Sequence, residues 1–190
     1  MKIKSLVLGT AAAFSVASMA IADRGSDGHV NIIYWQAPSI LNPYLSGGTK
    51  DVESSSMIIE PLARYNQDGE LTPWLVNEIP TVANGGVSAD LMSITWKLTP
   101  GIKWSDGSAL TAHDVVFTGQ YCMDPAGGCA QSNKLADVSN IEALDDLTVK
   151  VSFSVAKPFP YGPFVGAEQP IIQKAQFADC MGAKAPECTA

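Results

Sequence analysis

The sequence predicts an α+β fold, in which a mixed or antiparallel sheet of short strands accompanies few helices. Residues 94–98 and 147–154 alternate apolar with polar side chains, which is the period of a half-buried antiparallel strand. The Asp68-Gly69 step separates two short apolar segments, as in a β-hairpin. Strands and helices do not alternate regularly along the chain, so a parallel sheet of βαβ units is not predicted.

Local sequence signals place the remaining elements. Thr111 is a suitable helix N-cap, and Asp114 completes a capping box, so a helix is predicted from Thr111 to about Tyr121. The Asp145-Asp146 pair is typical of a hairpin turn. The predicted order is a buried first strand over 30–35, a short helix over 51–59 that ends before Pro61, hairpin strands over 62–65 and 71–75, a loop at 84–86, strand 94–98, helix 111–121 and strand 147–154.

The N-terminus has the features of a secretory signal peptide. Two lysines, Lys2 and Lys4, precede an apolar stretch over 6–16, and Ala20-Ile21-Ala22 is a cleavage signal of small residues. The apolar stretch is short for a transmembrane span, which needs about 20 residues. No cysteine stands directly after the cleavage signal, where Asp23 follows Ala22, so a lipid anchor is not expected. We therefore expect residues 1–22 to be removed and residues 23–190 to be exported, to the periplasmic space or outside the cell.

The charge of the chain argues against nucleic-acid partners. Removing residues 1–22 takes away two lysines and no acidic residue, so the net charge changes from −7 to −9. An acidic protein of this kind repels nucleic acids and anionic membrane surfaces, and its charge keeps it soluble. We expect a monomer that binds no nucleic acid.

Four cysteines, all beyond the predicted cleavage site, indicate disulfides. An even number in an exported chain predicts two bridges, for which three connectivities are possible. Local pairing is the simplest of them, joining Cys122 to Cys129 and Cys180 to Cys188. A zinc site is the alternative, but the spacings are not Cys-x-x-Cys and neither His29 nor His113 lies near a cysteine pair.

Catalytic motifs are absent from the sequence, which has no nucleotide fingerprint, phosphate loop, Gly-x-Ser-x-Gly or His-Glu-x-x-His. The adjacent His113 and Asp114 would point about 100° apart on a helix, so they do not form an acid–base pair. No enzymatic activity and no cofactor are therefore predicted. The tryptophans are expected in the core, except that Trp35 ends the first predicted strand and is placed to line a ligand cleft; they are Trp35, Trp74, Trp96 and Trp104.

The segment Ile94–Phe117 resembles a hallmark of the family 5 extracellular solute-binding proteins, the peptide/nickel group. It contains the strand, the Lys-Trp-Ser-Asp-Gly turn and the Thr-Ala-His-Asp-Val start of a helix. Weaker similarities follow the order of the family along most of the chain: Leu41-Asn42-Pro43, Ile59–Leu62, Leu71–Leu75, Thr148–Phe153, Lys157–Tyr161 and Ile171–Phe177, in which Gln173 replaces the usual Pro.

The resemblance implies part of lobe I of a two-lobed periplasmic-binding-protein fold of class II. It covers the first strand of lobe I and the accessory subdomain. The Pro-x-Gly-Thr-Gly-Pro-Tyr stretch and the second lobe of such receptors do not occur in this sequence. Ligands of such receptors are enclosed between two lobes, so we expect this chain to be a fragment of a longer gene product.

By the same resemblance, the function is capture of peptides or similar small solutes for the permease subunits of an ABC importer. The residues placed to reach the ligand are those after the first predicted strand, Gln36, Ala37, Pro38 and Ser39. Nickel or haem as the cargo, an exported structural or adhesion module and an exported hydrolase remain alternatives.

Overall fold

The structure, a computed structural model, describes residues 28–29 and 31–188. The chain divides into an N-terminal unit, Met1–Ile33, and a compact unit, Tyr34–Ala190. The predicted signal peptide over 1–22 lies outside the described residues. Within the described part of the chain, no helix is both long enough and apolar enough to cross a membrane.

The compact unit combines two small antiparallel sheets with short helices, as the sequence predicts. One sheet pairs β1 with β2, and the other has the strand order β3-β5-β4. The bounds are α1 Thr49–Ser55, β1 Ala63–Tyr65, β2 Leu71–Pro73, β3 Ser93–Lys97, α2 Ala112–Met123, β4 Val138–Asp145, β5 Thr148–Phe153 and α3 Lys174–Phe177. Short 3₁₀ helices lie at Pro43–Leu45, Pro125–Gly127, Ser132–Leu135, Ala178–Cys180 and Gly182–Glu187.

The hairpin of β1 and β2 forms as predicted. Tyr65 pairs with Leu71 at its closed end. Gly69 has a φ of 79°, in the left-handed region that glycine enters without strain. The side-chain oxygen of Asn66 accepts hydrogen bonds from the backbone N–H groups of Asp68 and Glu70, both at 2.9 Å. The turn is therefore specified by local residues.

The core lies between the three-stranded sheet and α2. Ile94 and Trp96 on β3 and Val149 and Val151 on β5 are completely buried, which confirms the inward faces that the alternation predicts. The helix α2 begins after Thr111 with the predicted capping box. The turn between β4 and β5 lies one residue later than predicted, because Asp145 is the last residue of β4.

The predicted first strand over 30–35 is wrong for the residues that the structure describes, 31–35, which form no strand. The side chain of Ile33 is 99% exposed and that of Trp35 is 71% exposed. Residues of high β-propensity form a strand only when another strand offers backbone hydrogen bonds. No strand among the described residues pairs with this segment.

The predicted helix over 51–59 is shorter and begins earlier, at Thr49, and it ends at Ser55. The hydroxyl of Ser55 donates to the carbonyl of Val52 at 2.9 Å, and that of Ser56 donates to Glu53 at 2.8 Å. Serine side chains that bond to nearby carbonyls compete with helical hydrogen bonding. The serine run therefore ends α1 before the apolar residues Met57 and Ile58.

The chain enters and leaves the sheet region through two neighbouring segments, 60–63 and 164–171, whose pairing is called the crossing. The N–H of Leu62 donates to the carbonyl of Phe164, and the N–H of Gly166 donates to Ala63, both at 2.9 Å. The N–H of Ile171 donates to the carbonyl of Glu60 at 2.8 Å. Residues 64–163 therefore form a closed unit, in the sense that its two ends lie side by side at the crossing.

Candidate functional site

The segment predicted to reach the ligand, Gln36–Ser39, is an exposed loop that precedes the 3₁₀ helix Pro43–Leu45. All four side chains are exposed, as is that of Trp35 at the start of the loop. Tyr34 and Trp35 stack with ring centroids 6.5 Å apart. The loop thus presents aromatic and polar groups to solvent.

The buried carboxylate of Asp51 fixes the end of this loop. Its Oδ1 accepts a hydrogen bond from the backbone N–H of Ser39 at 2.6 Å, and its Oδ2 accepts from the hydroxyl of Ser46 at 2.6 Å. The Nζ of Lys50 forms an ion pair with Oδ1 at 2.8 Å and also donates to the hydroxyl of Ser39. Asp51 is only 2% exposed.

These contacts set the electrostatics of the loop. The hydrogen bond from Lys50 lowers the pKa of Asp51 most, and the hydrogen bond from Ser46 adds to it, so the pKa lies well below its ordinary value of 3.8. Burial opposes this shift but is outweighed. Asp51 is therefore ionised at neutral pH, and its charge is used to hold the loop.

Asp51 also connects the loop to a second turn. The hydroxyl of Ser46 accepts from the N–H of Gly48 at 3.1 Å while it donates to Asp51. Ser39, at the end of the loop, and the turn at 46–48 are thereby fixed to the first turn of α1. Asp51 is not among the site residues predicted from the sequence; the signal that could have found it is an acidic residue in the first turn of a helix that follows two glycines.

His113 and Asp114 do not face each other, as predicted. Asp114 is buried, and its Oδ1 accepts from the N–H of Lys174 at 2.9 Å while its Oδ2 accepts from the N–H of Thr111 at 2.9 Å. His113 lies 3.6 Å from Asp146, and both side chains are more than half exposed. Asp114 therefore has a structural role that joins the start of α2 to α3.

The cysteines form the two local disulfides, Cys122–Cys129 and Cys180–Cys188. None of the four is free, which removes thiolate ligands from the zinc alternative. In the part of the chain that the structure describes, no group of three or more His, Cys, Asp or Glu is placed to hold a metal ion.

The tryptophans divide between core and surface. Trp96 is completely buried, as predicted. Trp74 is 47% exposed, contrary to the prediction. Its Nε1 donates to Glu60 at 2.7 Å, and the guanidinium of Arg64 lies 4.5 Å from its ring centroid. These polar contacts keep the indole at the surface. Trp104 is partly buried against the core.

Comparison with known proteins gives a family match. The sequence profile described as bacterial extracellular solute-binding proteins, family 5 Middle, matches residues 70–185. The chain is 28% identical over 137 residues to the oligopeptide-binding protein OppA of Bacillus subtilis (strain 168). This match covers 65% of this chain and 23% of that protein.

Solved structures show the same similarity. The oligopeptide-binding protein AppA from Bacillus subtilis, in complex with a nonapeptide, superposes with a TM-score of 0.71 at 18% identity, covering 80% of this chain and 29% of that one. The binding protein AgaA of A. tumefaciens R10, in complex with agropinic acid, gives a TM-score of 0.66 at 28% identity, covering 75% and 28%. The chain thus spans about a quarter of the length of these relatives.

Proposed function

Because this chain belongs to the bacterial extracellular solute-binding proteins of family 5, we propose that it is part of a receptor that captures peptides or similar small solutes outside the cytoplasmic membrane. The receptor delivers them to the permease subunits of an ABC importer. The observation that carries the proposal is the family match over 70–185, supported by a peptide-binding relative. In this proposal the receptor is a monomer, and it catalyses no reaction.

The loop Gln36–Ser39 is the part of this chain that contacts the ligand in the proposal. Its exposed side chains and the neighbouring Trp35 support this role. Extended peptides are bound mainly through backbone hydrogen bonds, which suits a loop whose own backbone is held in place by Asp51. The remaining contacts come from parts of the receptor that correspond to the rest of its relatives' length.

A second cargo class is supported by one observation. AgaA, the relative in complex with agropinic acid, is as similar in sequence as the oligopeptide-binding relative, at 28% identity. A small solute other than a peptide is therefore the competing candidate. A nickel or haem cargo is a further hypothesis, and elemental analysis of the purified receptor would reveal either metal.

The first experiment is to read the coding sequence beyond Ala190. A frame that continues for several hundred codons through a Gly-Thr-Gly-Pro-Tyr-like stretch supports the two-lobed receptor. The encoded receptor is then purified and titrated calorimetrically with peptides of two to nine residues and with agropinic acid. Saturable binding of peptides alone supports the main proposal; binding of agropinic acid alone supports the second.

The site is tested in the same receptor with the variant Ser39→Pro. This variant lacks the backbone N–H that donates a hydrogen bond to Asp51. Peptide affinity is expected to fall about tenfold because the loop loses its fixed position. Thr72→Ala, a change in the exposed β1–β2 hairpin, is the control and leaves affinity unchanged. Equal affinity of the Ser39→Pro receptor and the parent contradicts the assignment of the loop.

A further inference from the structure

A cavity that is separate from the loop at 36–39 lies beside the crossing of segments 60–63 and 164–171. Its volume is about 230 Å³. Its apolar walls include Leu75, Leu110 and Phe177, each less than 8% exposed. The remaining lining residues come from the chain before β1, the 102–105 turn and the α3 region.

Three polar groups in this lining have unused bonding capacity. The Nε1–H of Trp104 is buried and has no hydrogen-bond partner among the described residues. Lys103 forms no ion pair within the described part of the chain. Among the described residues, the side chain of Glu60 accepts from Trp74 alone, through Oε1, which leaves its Oε2 available. An unpaired buried N–H costs free energy that an acceptor from a ligand would recover.

Another polar residue of the lining, Gln173, already has its partners. Its Nε2 donates to Asp106 at 2.7 Å and to the hydroxyl of Ser108 at 3.0 Å. These bonds join the residue before α3 to the Asp106-Gly107 turn. The cavity therefore has a wall that exists before any ligand binds, which lowers the cost of ordering on binding.

The unused groups define the chemistry of a ligand. One carboxylate and one ammonium line the same cavity without pairing with each other. Both charged side chains are exposed, and a ligand complementary to them carries an ammonium for Glu60 and a carboxylate for Lys103 and the indole N–H of Trp104. The buried apolar walls require a hydrocarbon side chain between them.

We propose that this cavity binds a free α-amino acid with an apolar side chain, of the size of L-leucine. Its ammonium bonds to Glu60, its carboxylate bonds to Lys103 and Trp104, and its side chain packs on Leu75, Leu110 and Phe177. None of the lining residues belongs to the loop at 36–39 or to the Asp51 contacts. The site is therefore additional to the proposed peptide site and does not depend on it.

The test is a calorimetric titration of the purified chain with L-leucine, 4-methylpentanoate and 3-methylbutylamine. L-leucine is expected to bind saturably, and each analogue, which lacks one charged group, is expected to bind at least about tenfold more weakly. Saturable binding is therefore the first requirement. Its absence, or equal binding of all three compounds, overturns the proposal.

Variants assign the binding to the cavity. Glu60→Gln and Lys103→Met change exposed side chains, so they preserve the fold, and each is expected to weaken L-leucine binding about tenfold. Trp104→Phe keeps an aromatic ring, although a smaller one, and removes the N–H, with an expected loss of about fivefold. Glu142→Gln and Lys97→Met are matched controls outside the cavity and leave the affinity unchanged. Binding of L-leucine that none of the three cavity variants weakens contradicts the site.

Discussion

At the scale of single residues, the carboxylate of Asp51 holds Ser39, the last residue of the candidate ligand loop. It accepts hydrogen bonds from Ser39, Ser46 and Lys50 while it is almost fully buried. Removing it leaves these donors without their acceptor at contacts that are partly buried. Such a loss costs more than the bonds themselves contribute.

We expect Asp51→Ala to lower the free energy of unfolding by about 2–4 kcal/mol, measured by urea denaturation at pH 7. Glu142→Gln is the control, because the Lys150–Glu142 pair is exposed and 3.9 Å apart; it should cost less than about 0.5 kcal/mol. An Asp51→Ala protein as stable as the parent would show that the loop is held by other contacts.

The pH dependence has a definite sign. The pKa of Asp51 is lower in the folded chain than its ordinary value of 3.8, so its stabilisation is present above that value and is lost as the pH falls through and below it. The stability difference between parent and Asp51→Ala should therefore shrink below about pH 4. A difference that is constant from pH 7 to pH 3 contradicts this explanation.

Gly86 gives a second residue-scale prediction. A Cβ built on Gly86 would lie 2.7 Å from the Cα of Pro80, a backbone atom that cannot rotate away. Gly86→Ala is expected to cost about 1–3 kcal/mol through this overlap. Gly47→Ala is the matched control, because no atom lies within 4 Å of its added Cβ, and its stability should change by less than about 0.5 kcal/mol. Thermal unfolding of both variants provides the comparison.

At the scale of elements, Asp114 links two helices that are distant in sequence. One carboxylate oxygen accepts from Thr111 at the start of α2, and the other accepts from the N–H of Lys174 at the start of α3. The capping interaction is local, whereas the contact with α3 joins residues 60 positions apart. Asp114 therefore stabilises both α2 and the packing of the segment that begins at Lys174.

Asp114→Ala is expected to lower the free energy of unfolding by about 2 kcal/mol, since it removes a helix cap and a second buried hydrogen bond. Asp114→Asn keeps one acceptor oxygen and should lose about half as much. Denaturant titration of both variants measures the difference. Equal losses in the two variants would contradict separate contributions of the two contacts, because Asp114→Asn keeps an acceptor for one of them.

At the scale of the whole molecule, the paired segments 60–63 and 164–171 connect the closed unit to the rest of the chain. The amides of Leu62, Gly166 and Ile171 each donate across this pair. Amide hydrogens in bonds of this kind exchange with solvent only when the surrounding unit opens. The exposed segment 31–35 has no strand partner among the described residues, so its amides lack this protection.

Hydrogen exchange measured residue by residue should therefore show Leu62 and Ile171 as protected as the amides of β3 and β5, and Ile33 exchanging at nearly the rate of an unfolded chain. In a longer receptor of the proposed kind, residues 31–35 are expected to gain protection as they pair with additional strands. Fast exchange at Leu62 and Ile171 would show that the crossing opens independently of the core.

The elements that were predicted correctly depend on local chemistry. The Asn66–Gly69 turn, the Thr111–Asp114 cap and the alternation around Trp96 each involve residues a few positions apart, so their patterns can be read directly. The end of α1 is predicted less well. Serine side chains compete with helical hydrogen bonding, but a run of serines is only a weak sequence signal for where a helix ends, and the competition is clear only from the hydrogen bonds in the structure.

The α+β class, the hairpins and the capped helix follow from the amino-acid sequence alone, because hydrophobic period and turn chemistry act over short distances. Three features required the folded chain: which cysteines pair, the contact of Asp51 with Ser39, and the absence of a strand at 31–35. Each of these depends on partners brought together by folding. Strand pairing in particular requires a neighbour with free backbone groups, and no local pattern records whether one is present.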